Sequence, residues 1–160
     1  MKRTHWWMVV TLIFIGLVSP SVFADSPSVT GTFMGNGKPA KLAYATALPG
    51  EPFSGKDTVV VVLTEKDPSK EPKPEIKAAF GNFGSALILT IDSTGDIIGC
   101  EVAHEAMEKK PFSSIGKIKT EGFSITKNMI QSKVTTGGPM ETFGQTWDVN
   151  LSFHAILPPK

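Results

Sequence analysis

The fold is decided by the stretch S-A-L-I-L-T-I-D-S-T-G-D-I-I-G-C-E-V-A-H, residues 85–104. Two apolar runs rich in isoleucine, leucine and valine flank a polar turn at residues 92–96. Gly95 can adopt the positive φ that a tight turn needs, and the side chains of Asp92 and Ser93 can hydrogen-bond the local main chain. The pattern predicts an antiparallel β-hairpin.

Further strands are predicted on both sides of this hairpin. Residues 58–64, T-V-V-V-V-L-T, form a continuous β-branched run that is typical of a central strand buried on both faces. Residues 38–48 alternate large and small side chains, which predicts one strand covered on both sides. Residues 145–157 predict the last strand, whose core-facing positions are Trp147, Val149, Leu151, Phe153 and Ala155.

Helix signals are weak. Residues 103–110, A-H-E-A-M-E-K-K, contain good helix formers and no β-branched residue, so we expect at most one short helix there. Residues 65–75 contain three prolines and predict a solvated loop. With about eight or nine strands separated by turn signals, the sequence predicts an all-β protein. Its expected architecture is an antiparallel two-sheet β-sandwich, immunoglobulin-like or jelly-roll-like, and a small closed barrel is the main alternative.

The N-terminal segment has the pattern of a secretory signal. Lys2 and Arg3 precede an apolar run at residues 6–18, which is too short for a comfortable membrane span. We therefore expect residues 1–24 to be a cleaved signal peptide and residues 25–160 to form a single β-sandwich domain. The predicted location is the periplasm or the extracellular medium, with no membrane association after cleavage.

The composition of the predicted mature chain narrows its partners. Cleavage would remove two of the 16 basic residues and leave 14, all of them lysine, against 15 acidic residues. The absence of arginine argues against nucleic-acid binding, which favours clustered arginine. The single cysteine excludes an internal disulfide, so the hydrophobic core must hold the fold without one.

A metal site is one alternative function. Side chains alternate between the two faces of the second half of the hairpin, so one face is shared by Ile98, Cys100, Val102 and His104. We expect this to be the core face, with His104 at its rim. This places Cys100 in the core. His104 with the nearby Glu101 and Glu105, or with Cys100, offers ligands for copper or zinc. No Cys-x-x-Cys, His-x-His or His-Glu-x-x-His spacing supports such a site.

An enzyme of the cell envelope is a second alternative. Glu101, Glu105 and Glu108 are close in sequence and could act as paired carboxylates. Lys109 and Lys110 follow them directly, which is also typical of an ordinary solvated face. The chain has no Gly-x-Ser-x-Gly motif.

The favoured interpretation is a binding module without catalysis or cofactor. Aromatic side chains fall in or beside loops containing glycine or proline, and four of them are candidate ligand-binding residues: Phe53, Phe83, Phe112 and Phe143. Such side chains either plug the ends of a sandwich or, when exposed together, form a binding patch. The expected partner is a protein or small-molecule ligand of the cell envelope.

We predict cleavage after Ala24. Mass spectrometry of the protein recovered from the periplasm or medium should show Asp25 as its first residue, because the apolar run and its small-residue boundary fit a signal peptidase site. A recovered protein that still contains Trp6 and Trp7 would contradict this prediction.

Overall fold

The computed structural model describes residues 28–159, so the predicted signal peptide lies outside the described residues. Eleven strands and one helix follow in the order β1 (Ser28–Gly35), β2 (Lys38–Ala40), β3 (Tyr44–Pro49), β4 (Thr58–Thr64), α1 (Pro74–Ala79), β5 (Ala86–Asp92), β6 (Ile97–Ala103), β7 (Phe112–Ser113), β8 (Lys119–Thr126), β9 (Met129–Thr135), β10 (Met140–Thr142) and β11 (Gln145–Ile156). Three of the eleven strands, β2, β7 and β10, have only two or three residues, which is too short for a periodic pattern to show.

The strands form two antiparallel sheets packed as a β-sandwich, which confirms the predicted fold class. The first sheet has the order β2-β1-β11-β9-β8, with β10 also paired to β11. The second sheet has the order β3-β4-β5-β6-β7 and is a meander, because every strand pairs with its neighbour in sequence. The first sheet instead joins the first described strand to the last, since β1 pairs with β11.

The predicted hairpin of residues 85–104 is β5 and β6. Its turn is closed by the carboxylate of Asp92, whose Oδ1 accepts main-chain hydrogen bonds from Thr94 (2.8 Å) and Asp96 (3.1 Å). Lys56 Nζ lies 2.7 Å from Asp92 Oδ2. Hydrogen bonds from Lys56 and from the Thr94 hydroxyl hold the pKa of this carboxyl well below its ordinary value.

The predicted central strand is β4, which lies between β3 and β5 as expected. The side chains on its two faces belong to two different hydrophobic clusters. Val61 and Leu63 belong to the main core between the sheets, whereas Val62 belongs to a smaller cluster on the outer face of the second sheet. That smaller cluster includes Ala78 of α1, so the helix covers the outer face.

The predicted helix at residues 103–110 is wrong; within residues 28–159 the helix is α1. Pro74 occupies a first-turn position of α1, where a main-chain N–H would have no partner within the helix in any case. Glu75 in the first turn and Lys77 in the last turn interact favourably with the helix dipole. Residues 104–110 form turns instead, because the side chains of Asn36 and Gln145 bind their main chain, as described below. No helix in the described part of the chain is long and apolar enough to cross a membrane.

The single strand predicted at residues 38–48 is two strands in different sheets. Between β2 and β3 the chain crosses from the first sheet to the second. In β3 the small side chains of Ala45 and Ala47 face the main core, and Tyr44 is exposed. Strand β3 contacts β11 across the sandwich, and small residues permit this close approach.

The alternation in β11 yields a stability prediction. Phe153 is buried in the main core, and Asn150 on the opposite face is exposed. Phe153→Ala should lower the free energy of unfolding by about 3–5 kcal/mol, because it removes a fully buried ring. Asn150→Ala should change it by less than about 0.5 kcal/mol. Urea denaturation measures both, and similar losses from the two variants would contradict the observed strand register.

Candidate functional site

His104 lies directly after β6 and is buried rather than at the rim, with 2% of its surface exposed. Its ring packs edge-on against Phe33, with centroids 4.9 Å apart. The ring also lies against the end of β1, where a Cβ added to Gly35 would be 2.5 Å from His104 Cγ and Nδ1. A glycine at position 35 is therefore required for the histidine to occupy this place.

The hydrogen bonds of His104 define its tautomer. Nδ1 accepts a hydrogen bond from the Ala106 main-chain N–H (3.1 Å), so the proton of the neutral ring is on Nε2. Among the described residues no group meets this buried Nε2 with good hydrogen-bond geometry, although main-chain groups of Phe33 and Lys38 hydrogen-bond the ring weakly and raise its pKa. Burial lowers the pKa of His104, and the negative charge of Glu65 acts in the opposite direction without outweighing it.

A polar cleft of about 270 Å³ lies beside His104. Its wall includes Lys38, Glu65, Ser85, His104 and Glu105. Glu65 Oε2 accepts the main-chain N–H of Ser85 (2.7 Å), and Ser85 Oγ accepts that of Glu105 (3.1 Å). Three segments that are distant in sequence are thereby tied together around one opening. We call it the His104 cleft.

The loop of residues 104–110 is held by two side chains, Asn36 in the turn between β1 and β2 and Gln145 at the start of β11. Asn36 Nδ2 donates to the Ala106 carbonyl (3.1 Å). Gln145 Oε1 accepts the main-chain N–H groups of Glu108 (2.7 Å) and Lys109 (3.2 Å), and its Nε2 donates to the Lys109 carbonyl (3.2 Å). These bonds replace the i→i−4 bonds of a helix, which explains why the helix predicted here is absent.

Two of the four predicted aromatic residues meet near the end of this loop. Phe112 is buried, with its ring 5.7 Å from Trp147 and 6.1 Å from Phe143. Phe143 is 64% exposed, and Lys109 Nζ lies 5.8 Å from its ring centroid. We call Phe143, Phe112 and Lys109 the Phe143 patch.

The backbone at Phe143 is unusual. Phe143 (φ 54°) and Gly144 (φ 74°) form the turn between β10 and β11, and both are in the left-handed region. That geometry suits a two-residue hairpin turn, but a bulky side chain rarely adopts it, and asparagine or glycine is the usual choice. The exposed phenylalanine is thus held in a strained conformation.

The other two predicted aromatic residues do not join the patch. Phe83 is half-buried and packs on the cluster covered by α1, so it folds inward. Phe53 is 55% exposed and precedes the start of β4. Phe83 precedes the start of β5, which pairs with the end of β4, so the two phenylalanines lie at opposite ends of the second sheet. The structure therefore brings together only Phe112 and Phe143 of the four.

The predicted metal ligands are also separated. Glu101 pairs with Ile88 and faces the outer side of the second sheet, whereas His104 is inside; Glu105 is exposed beside the cleft. Within residues 28–159 no group of three or more histidine, cysteine, aspartate or glutamate side chains is placed to hold a metal ion. The copper or zinc site stays a prediction. Cys100 is buried as predicted, and burial raises the pKa of its thiol to about 12.

No family model, curated protein or solved structure matches this chain. The chain is an antiparallel β-sandwich. One end carries a polar cleft with a buried histidine and an exposed aromatic turn, both next to the loop of residues 104–110.

The burial of His104 predicts a pH dependence of stability. Its pKa is lower in the folded than in the unfolded chain, so the unfolded chain binds more protons below about pH 6.5. The contribution of His104 is fully present above that pH and is lost as the pH falls toward the folded pKa. We expect the free energy of unfolding, from urea denaturation, to fall between about pH 7 and about pH 5. His104→Gln should reduce this slope, and an unchanged slope would contradict the assignment.

Proposed function

We propose that this protein is a secreted or periplasmic binding module of the cell envelope, without catalytic activity, and that it contacts its partner through the Phe143 patch. The pattern of residues 1–24 supports export. The partner would be a protein or a small-molecule ligand of the envelope that presents an apolar or aromatic group to Phe143.

The observation that carries this proposal is the exposed, strained phenylalanine. A left-handed conformation of a bulky residue costs of order 1–3 kcal/mol. The contact with Lys109 at an exposed site returns about 0.5–1 kcal/mol, and the edge-to-face contact with Phe112 returns about 0.5–1.5 kcal/mol. These contacts roughly offset the backbone cost, which asparagine or glycine at this turn position would avoid. Binding supplies a further reason for an exposed phenylalanine at position 143, because aromatic anchors contribute strongly to interfaces.

The surroundings of Phe143 suit an anchor. Its ring packs against the buried Phe112, which in turn packs against Trp147. Gln145, the first residue of β11, is itself fixed to the loop of residues 104–110. A side chain presented from a fixed backbone loses less conformational entropy when it binds. The patch is thus suited to a partner that docks without large rearrangement.

The titratable groups near this end favour binding over nucleophilic catalysis. A thiol with a pKa of about 12 is protonated at neutral pH, so Cys100 is a poor nucleophile. His104 uses Nδ1 to accept the Ala106 N–H, which leaves no basic ring nitrogen in its neutral form.

Site-specific photocrosslinking in the living cell tests the proposal. A benzophenone amino acid replaces Phe143 in one strain and Phe80 in a control strain; Phe80 is 75% exposed but lies at the end of α1, away from the patch. We expect a discrete crosslinked product from position 143 and none from position 80. Equal products from both positions, or none from position 143, would contradict the proposal.

A second variant separates binding from folding. Phe143→Asn removes the ring and suits the left-handed turn, so the free energy of unfolding should stay unchanged or rise by up to about 1 kcal/mol. Excess purified wild-type protein should suppress the crosslink at position 143 in envelope extracts, and the Phe143→Asn protein should not. Suppression by both proteins would place the binding surface elsewhere.

A further inference from the structure

His104 connects the start of the loop of residues 104–110 to the first sheet. Its buried ring packs edge-on against Phe33 and lies so close to Gly35 that a side chain at that position would collide with it. Nδ1 of the same ring accepts the main-chain N–H of Ala106. The position of the loop therefore depends on a side chain that can gain a proton near neutral pH.

Protonation of the ring removes this hydrogen bond. The neutral ring carries its proton on Nε2, so a second proton is added at Nδ1. The imidazolium then directs an N–H at the N–H of Ala106, whose nitrogen is 3.1 Å from Nδ1. Two donors at this distance repel each other, and the contact that fixes Ala106 is lost.

A charged ring is also unfavourable in its buried position. The side chains that titrate around it carry two charges of each sign: Lys38, Glu65, Glu105 and Lys110. Burial disfavours the protonated ring most strongly, Glu65 favours it, and Lys110 disfavours it further. Phe33 and Gly35, which contact the ring from β1, do not titrate. The charge of a protonated ring is thus not compensated where the neutral ring packs.

The His104 cleft gives the charged ring a way to water. His104 forms part of the cleft wall, and so do Glu65 and Glu105. Glu105 is exposed and is in no ion pair with a described residue. A ring that turns toward the cleft gains hydration and the attraction of these two carboxylates, and it leaves its contact with Gly35.

We infer that His104 is a pH-sensitive switch for the first half of this loop. The neutral ring packs on β1 and fixes Ala106. The protonated ring turns toward the cleft, its hydrogen bond to Ala106 breaks, and residues 104–106 change position while both sheets stay folded. The second half of the loop is held independently, because Met107 belongs to the main core and Gln145 binds the main chain that follows it.

The residues of this switch are not those of the Phe143 patch, so the switch is tested without a partner. The experiment is an NMR titration of the purified protein from about pH 7.5 to about pH 4.5. The readouts are the ring signals of His104, the contact between its ring and that of Phe33, and the main-chain amide signal of Ala106. The amide signal of Val61 in β4 reports whether the core stays folded. His104→Gln removes the titration and keeps an oxygen that can accept a hydrogen bond, and His154→Gln, at the other histidine of residues 28–159, is the matched control.

We expect the three readouts to change together, with a common midpoint below about pH 6.5, while the Val61 signal stays unchanged. His104→Gln should abolish the transition at Ala106, and His154→Gln should leave it in place. A His104 ring that becomes protonated while its contact with Phe33 persists would overturn the inference. Loss of the Val61 signal in the same transition, or no titration of His104 down to about pH 4.5, would overturn it as well.

Gly35→Ala tests the geometry of the switch directly. The added Cβ would lie 2.5 Å from the His104 ring, and Gly35 does not have a positive φ, so the backbone accepts alanine. This variant should hold the ring out at neutral pH, without the contact to Phe33 and with the Ala106 signal near its acid position in the wild type. A ring still packed on Phe33 in this variant would contradict the inference. If the variant does not fold, the wild-type and His104→Gln titrations decide the question without it.

Discussion

The pairing of β1 with β11 is the constraint on which the rest of the structure depends. It joins the first and last described strands over eight residue pairs, from Ser28 opposite His154 to Gly35 opposite Trp147. The second sheet is a local meander, whereas the first sheet cannot form until the chain is complete. Both surfaces at the His104 end depend on this pairing, because Gly35 packs on the His104 ring and Gln145 fixes the neighbouring loop.

The register of that pairing is specified by burial. Phe33 of β1 and Val149 of β11 are opposite each other and both face the main core. A shift of one residue would turn these side chains to solvent and bring polar neighbours inside. The protein would lose the free energy of burying several large apolar side chains. The same shift would move Gly35 from the His104 ring and place a side chain against it, so the core that fixes the sheet also fixes the cleft.

The sequence predicts the elements that leave a repeating apolar pattern. It does not predict features that depend on hydrogen bonds from single, distant side chains. The β5–β6 hairpin, the central strand β4 and the alternation of β11 each leave a period-two or continuous apolar signal, and all three are confirmed. The crossing between β2 and β3 leaves none, because alternation continues through it. The helix predicted at 103–110 is overridden by Gln145 and Asn36, whose hydrogen bonds come from distant parts of the chain. For the same reason the sequence identifies His104 and Phe143 as candidates but misses Lys38, Glu65 and Ser85, which only the tertiary fold brings together.

The surfaces at the His104 end are held by an unusually well-fixed loop. Loops at the end of a sandwich are usually its most mobile part, since few apolar contacts hold them. Here the loop of residues 104–110 is fixed by buried Gln145, and Met107 within it belongs to the main core. The cleft on one side and the exposed ring of Phe143 on the other are therefore held in place before any partner arrives. Groups held in this way lose little conformational entropy if they bind, which is the physical basis of the binding role proposed for this end of the sandwich.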